Sequence, residues 1–90
     1  MGAIAQSLSR KLTAALSPVA LEILDDSARH AGHASAAPGG ETHFTISITS
    51  AAFAGMNRLA RQRRVYAIVA EELVGPVHAL SLTTRAPGED

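Results

Sequence analysis

The sequence predicts a small α+β domain, in which helices pack on one face of a three-stranded mixed sheet. Apolar residues recur at helical spacing near the start of the chain and again after residue 57, which predicts two amphipathic helices. Three other segments alternate apolar and polar residues, as half-buried strands do. The chain has 90 residues and is expected to form one domain over 1–90, with 1–3 and 86–90 disordered.

The first half of the chain is predicted to hold one helix, one strand and a long loop. The helix is expected over residues 3–16, and Pro18 ends it because the residue before a proline avoids helical geometry. Alternation over residues 19–24 predicts the first strand. Residues 26–41 contain few large apolar side chains and are expected to form a loop, and loops of this length are often functional.

The second half is predicted to add two strands separated by helices. Residues 42–50 give the clearest strand signal, and a short helical turn is expected around Phe53. A long helix over 58–73 and a strand over 77–84 complete the order α-β-β-α-α-β. The first two strands can pair as an antiparallel hairpin, and the third strand, which follows a helical crossover, should lie parallel to a neighbouring strand with a right-handed connection.

The same patterns predict which side chains face the core. On the sheet, Leu21, Ile46 and Leu80 should meet the helices, and His78 should share the face of Leu80. The long helix should have an apolar arc and a charged face opposite it. The predicted arc is Leu59, Tyr66, Val69, Ala70 and Leu73, and the predicted charged face is Arg61, Arg64, Glu71 and Glu72.

Composition limits the function. Eight Lys and Arg residues balance eight Asp and Glu residues, and a net charge of zero argues against strong nonspecific phosphate binding. No apolar stretch is long enough to cross a bilayer and the first residues are too polar for a signal peptide, so a cytoplasmic protein without membrane association is expected. Cysteine is absent, so any metal held by this chain needs His, Asp or Glu ligands.

Five segments, in this order and with compatible spacing, resemble the BolA family. They are residues 21–27 (LEILDDS), 40–44 (GETHF), 61–66 (RQRRVY), 70–73 (AEEL) and 77–82 (VHALSL). The resemblance covers roughly residues 8–87. It departs at Gln62, where the family commonly has histidine, and at the end, because many members extend beyond the last strand whereas this chain stops at Asp90.

The resemblance implies a fold similar to class II KH domains and a partner, a monothiol glutaredoxin. Such heterodimers can hold a bridging [2Fe–2S] cluster. The glutaredoxin gives a cysteine thiolate, glutathione gives another, and the BolA-like protein adds histidine or, in some members, cysteine. Without cysteine, this chain would be of the histidine type. By resemblance, its cluster ligands map to His30 in the loop and His78 at the last strand, which implies a role in cluster trafficking or iron sensing.

Several properties of this implied site can be stated from chemistry. Imidazole is a competent iron ligand, and it raises the potential of a cluster when it replaces thiolate. Binding needs the neutral ring, so cluster affinity should weaken below about pH 6.5. The isolated chain is expected to bind little iron, and without its partner it could form a homodimer.

Other interpretations of the four histidines remain open. His78 could be a structural residue bonded to the backbone. His30 and His33 could be solvated, or could supply two zinc ligands, which falls short of the four that structural sites use. His33 could also replace His30 as the loop ligand. His43 alternates away from Phe44, is expected on the open face of the sheet, and is not assigned as a ligand.

A DNA-binding transcriptional regulator is the alternative function. Arg58, Arg61, Arg63 and Arg64 form a basic cluster that could contact DNA or an acidic partner, or could simply be solvated. KH domains clamp nucleic acid with a Gly-x-x-Gly loop, and this motif is absent from the sequence. An enzyme is not expected, because no nucleophile–base–orienter arrangement and no phosphate-binding glycine motif occurs.

Overall fold

The computed structural model describes residues 2–26 and 42–89. In chain order, the elements are α1 (Ala3–Leu16), β1 (Ala20–Asp25), β2 (His43–Thr49), a 3-10 turn (Ala51–Phe53), α2 (Arg58–Ile68), α3 (Ala70–Val74) and β3 (Ala79–Arg85). The sheet order is β1-β2-β3, with β1 antiparallel and β3 parallel to β2. The predicted α+β class and mixed three-stranded sheet are therefore confirmed.

The core lies between the helices and one face of the sheet. Helix α1 contributes a stripe of four buried residues, and the central strand contributes three. They are Ala5, Leu8, Leu12, Leu16, Phe44, Ile46 and Ile48. Leu21 and Leu80 are partly buried and pack against this core, so the predicted inward face of the sheet is confirmed. On the other face of β2, alternate residues are half-buried.

The end of α1 is joined to the sheet by a buried hydroxyl. Ser17 ends the helix in the left-handed region (φ 44°), and its N–H donates to the Thr13 carbonyl oxygen at 3.1 Å. The Leu16 carbonyl oxygen accepts a hydrogen bond of 2.5 Å from the fully buried Ser50 hydroxyl. The same oxygen of Ser50 accepts the N–H of Ala52 at 3.1 Å. The Ser50 side chain thus forms hydrogen bonds with backbone groups at the end of α1 and at the start of the 3-10 turn.

The single long helix predicted over 58–73 is two helices, α2 and α3, because Val69 leaves helical geometry (φ −107°, ψ 24°). The buried stripe nevertheless continues through this break, because its residues recur at helical spacing, and it lies on a different side of the helix from the predicted apolar arc. The predicted apolar arc is wrong in part: Leu59 and Tyr66 are 55% and 37% exposed. The buried positions of α2 and α3, with Val69 between them, are Arg61, Val65, Val69 and Glu72.

The segment after β3 packs against the domain instead of extending away from it. Ala86 is 5% exposed, and its N–H donates to a Glu89 carboxylate oxygen at 3.0 Å. The Glu89 carboxylate also pairs with Arg61. Residues 86–89 therefore differ from the expectation of a disordered tail. Among residues 2–26 and 42–89, no helix has the length and hydropathy required to span a membrane.

Candidate metal-ligand site

His78 lies between α3 and β3 on main chain that is held on both sides. Before it, Val77 is 3% exposed and its N–H donates to the Glu72 carbonyl oxygen at 3.0 Å. The N–H of His78 donates to the Thr42 carbonyl oxygen at 2.7 Å. The His78 side chain itself is exposed. The fold therefore presents an imidazole to solvent from a backbone position that is well fixed.

A second imidazole lies beside it. His43 is the first residue of β2, and its ring centroid is 6.4 Å from that of His78, with the ring planes inclined by 41°. His43 is half-buried, and its Nδ1 lies 2.8 Å from the Thr42 hydroxyl oxygen. This hydrogen bond orients the His43 ring. The two histidines of the described residues thus form one pair at the start of two neighbouring strands.

The two rings meet because the alternation of side-chain direction along β3 does not continue back to His78, the residue before the strand. The N–H groups of both His78 and Ala79 point at the Thr42 carbonyl oxygen, at 2.7 and 3.2 Å. Two consecutive N–H groups therefore share one acceptor on the residue before β2, as at a β-bulge. Simple alternation predicts that His78 joins Leu80 on the face that packs against the core, but its side chain is instead exposed next to His43.

Only one of the two predicted cluster ligands lies among the described residues. His78 is described, whereas His30 and the alternative ligand His33 lie outside the described residues. His43, which sequence reasoning did not assign, is the residue that the structure brings next to His78. No local sequence signal reveals this pair, because His78 precedes β3 and its approach to His43 depends on the register of β3 against β2.

A shallow depression of about 410 Å³ opens beside His43. Its lining includes Asp26, Thr45 and Ser81. The Asp26 carboxylate accepts a hydrogen bond from the Thr45 hydroxyl, which joins the end of β1 to β2. Within the part of the chain that the structure describes, no group of three or more His, Cys, Asp or Glu side chains is arranged to hold a metal ion.

The predicted basic cluster is smaller than the sequence suggests. Arg58, Arg63 and Arg64 are exposed on α2. Arg61 is 9% exposed, and its two terminal nitrogens donate to the Glu89 carboxylate at 2.6 and 2.8 Å. Its guanidinium also lies over the Phe53 ring, 5.9 Å from the centroid. Arg61 is therefore a structural residue in this fold, and the other three arginines of the predicted cluster remain on the surface.

The Arg61–Glu89 contact shifts the pKa of both groups. Hydrogen bonds from Arg61 and from the Ala86 N–H lower the pKa of Glu89 from 4.5 to about 2. The hydrogen bond to Glu89 raises the pKa of Arg61. Both shifts favour the charged pair, so the contact persists across the physiological range.

A second polar contact holds α3 against α1. Glu72 is 7% exposed, and its carboxylate accepts hydrogen bonds from the Ser7 hydroxyl at 2.7 Å and from Lys11 Nζ at 3.1 Å. Burial raises the pKa of Glu72, but the hydrogen bonds from Ser7 and Lys11 outweigh it and the pKa is lowered. Because the Glu72 carbonyl oxygen also accepts the Val77 N–H, this residue connects α1 to the turn before His78.

Together, the fold and this pair of rings define a small α+β domain that exposes imidazole where two parallel strands begin. The family model described as BolA-like protein matches residues 12–89. The chain therefore belongs to the BolA-like family, and the resemblance found in the sequence is confirmed.

Three relatives indicate the range of the family. BolA-like protein 1 of Homo sapiens is 43% identical over 89 residues, which cover 99% of this chain and 62% of that protein. The DNA-binding transcriptional regulator BolA of Escherichia coli (strain K12) is 42% identical over 81 residues, covering 90% of this chain and 73% of that protein. The structure of BolA1 from Arabidopsis thaliana has a TM-score of 0.88 and 41% identity, covering 100% of this chain and 98% of that chain. The chain thus spans less than two thirds of the human relative.

Proposed function

We propose that this chain pairs with a monothiol glutaredoxin to hold a bridging [2Fe–2S] cluster, and that the pair acts in cluster trafficking or iron sensing. His78 and His30 would be the ligands from this chain, and a glutaredoxin cysteine and glutathione would supply thiolates. The observation that carries the proposal is the exposed His78 imidazole on a main chain held by the hydrogen bonds of Val77 and His78. Membership of the BolA-like family supports it.

The residues of this chain fit such a cofactor. The chain has no cysteine, so imidazole is its available nitrogen ligand for iron, and imidazole binds iron well. His78 can enter a second protein's site without any change in the core, because its side chain is already exposed. When bound, the cluster would supply transferable iron and sulfide, or a redox-sensitive signal. The chain itself would act as a non-enzymatic cytoplasmic binding partner.

The direct test is anaerobic reconstitution of the chain with a monothiol glutaredoxin, glutathione, iron and sulfide. We expect a coloured heterodimer by size-exclusion chromatography, with cluster bands in visible absorption and circular dichroism. His78→Ala should change the spectrum or speed cluster loss. His30→Ala should have a milder effect if His33 replaces it, and the double variant His30→Ala/His33→Ala tests this.

Val19→Ala is a matched control for the reconstitution, because it shortens an exposed side chain whose N–H pairs with Thr49, at the opposite end of β2 from His43 and His78. It should leave the spectrum and the cluster lifetime unchanged. A heterodimer that does not form, or a His78→Ala complex with the spectrum and lifetime of the parent, would contradict the proposal.

A second candidate is DNA binding in transcriptional regulation. It is favoured by the 42% identity to the E. coli relative, whose name describes a DNA-binding regulator. The surface available for phosphate contacts is the exposed set Arg58, Arg63 and Arg64 on α2. Gel-shift titration at several salt concentrations would test it, because each phosphate contact adds to the salt dependence of the affinity. Tight, salt-sensitive binding without glutaredoxin, lost when the three arginines become glutamine, would favour this function.

A further inference from the structure

We infer that His43 and His78 form a binding site for a single late first-row divalent ion such as Zn²⁺ on this chain alone. This site differs from the proposed cluster site in its ligand set, because it uses His43 in place of His30. It also needs neither glutaredoxin nor glutathione. It rests on the position of the two rings in the structure and is independent of the proposed function.

The distance between the rings is close to what chelation requires. Zinc–imidazole bonds are about 2.0–2.1 Å long, so two imidazoles on one tetrahedral ion have ring centres roughly 5 Å apart. The centroids of His43 and His78 are 6.4 Å apart. The remaining difference of roughly 1 Å is within the reach of a side-chain rotation. His78 can make that rotation because its side chain is exposed, while its main chain stays bonded to Thr42.

Thr42 forms hydrogen bonds with both proposed ligands. Thr42 is 8% exposed, and its hydroxyl contacts Nδ1 of His43 at 2.8 Å. A ligating histidine is usually oriented in this way, through a hydrogen bond on the ring nitrogen that does not bind the metal. The carbonyl oxygen of the same threonine accepts the N–H of His78 at 2.7 Å. One buried residue therefore fixes the ring of the first ligand and the backbone of the second.

The chemistry of two imidazoles selects the ion. Imidazole suits zinc, copper and nickel, and affinities at such sites rise along the series from Fe²⁺ towards Cu²⁺, with Zn²⁺ above Fe²⁺. Two protein ligands leave coordination positions for water, and the depression beside His43 gives water access. Zn²⁺ should consequently bind more tightly than Fe²⁺. If the proposed function holds, a divalent ion on His78 would also compete with the cluster for that ring.

The test is titration of the whole chain with Zn²⁺ by isothermal calorimetry, without any partner protein. We expect one Zn²⁺ per chain, with affinity reduced about tenfold or more by either His43→Ala or His78→Ala. Thr42→Val keeps both imidazoles and the shape of the side chain, so a loss of about tenfold there would report the orienting hydrogen bond. The control Val19→Ala, at the opposite end of β2, should bind like the parent. A second control, His30→Ala/His33→Ala, tests whether those two histidines hold the ion instead of His43 and His78.

A second measurement needs no substitution. Zn²⁺ should shift the ring signals of His43 and His78 together in NMR spectra of the parent chain. The inference is overturned if either single variant binds Zn²⁺ like the parent, if binding is lost in the His30→Ala/His33→Ala control, or if the two ring signals do not move. None of these outcomes depends on cluster assembly, so the failure of one proposal is distinguishable from the failure of the other.

Discussion

Two neighbouring glutamates give a sharp test of what holds the helices together. Glu71 and Glu72 both contact Lys11, at 3.2 and 2.9 Å, but their side chains are 89% and 8% exposed. The same substitution, glutamate to glutamine, can be made at each position. It removes the negative charge while it keeps the size of the side chain, so the pair compares a buried carboxylate with an exposed one.

The buried carboxylate should matter far more. Glu72 accepts a hydrogen bond from Ser7 at 2.7 Å and another from Lys11, and each hydrogen bond to a charged group contributes about 1.5–3 kcal/mol. Glutamine keeps one acceptor oxygen, and the Lys11 side chain, 28% exposed, stays partly hydrated. We therefore expect Glu72→Gln to lower the free energy of unfolding by about 1–3 kcal/mol. For Glu71→Gln, an exposed pair predicts about 0.5 kcal/mol or less.

Urea unfolding followed by circular dichroism measures both values. For a domain of this size, 1 kcal/mol corresponds to a shift of about 4–8 °C in Tm, so thermal unfolding gives an independent check. The deficit of Glu72→Gln should shrink in acid. The pKa of Glu72 is lowered by folding, so its contribution is present above the unfolded value of 4.5 and is lost as pH falls through the folded value. Equal losses for Glu71→Gln and Glu72→Gln would refute this reasoning.

Two further predictions follow from the core and from the C-terminal contact. Leu12 is 0% exposed, so Leu12→Ala should cost about 2–5 kcal/mol in urea unfolding; Val74 is 89% exposed, so Val74→Ala should stay within about 0.5 kcal/mol, and a small loss at Leu12 would contradict the packing described above. Glu89→Gln should lower the Tm near neutral pH, because the carboxylate pairs with Arg61. Folding lowers the pKa of Glu89 from 4.5 to about 2, so the difference from the parent should disappear as pH falls across that window; a difference that is constant from pH 6 to pH 2 would show that the charge of Glu89 is not involved.

The sequence predicted the elements well where local periodicity decides them. Helix α1 was predicted with the observed ends, because its buried positions recur at helical spacing and Pro18 follows it. The antiparallel hairpin and a third strand parallel to a neighbour also followed from the sequence, whereas the order β1-β2-β3 came from the structure. The alternation of β2 correctly turned Ile46 inwards and His43 outwards.

The predictions of burial were wrong where residues that are distant in the chain surround a side chain. Arg61 was expected on a charged face, but it is buried because Glu89 supplies the opposite charge and Phe53 covers the guanidinium. Nothing in the local pattern of α2 carries that information. Glu72 was likewise expected on the charged face, but it is buried because Ser7 and Lys11 of α1 donate hydrogen bonds to its carboxylate.

The candidate site was predicted only in part for the same kind of reason. His78 was assigned as a ligand through resemblance, and this role stays a prediction; the structure shows that its side chain is exposed on a fixed backbone. Its proximity to His43 depends on the register between β2 and β3 and on the doubled hydrogen bond to Thr42. Register and bulges are set by tertiary pairing, so single-sequence patterns do not reveal them.

The register of β3 also bears on how the domain folds. Each pair between β2 and β3 joins residues that lie further apart in the chain than any pair between β1 and β2, because α2 and α3 come between the two strands. Pairing over a longer separation costs more loop-closure entropy, which slows folding. The approach of the two histidine rings depends on this parallel pairing. A spectroscopic signal from that ring pair would consequently report the docking of β3 against β2.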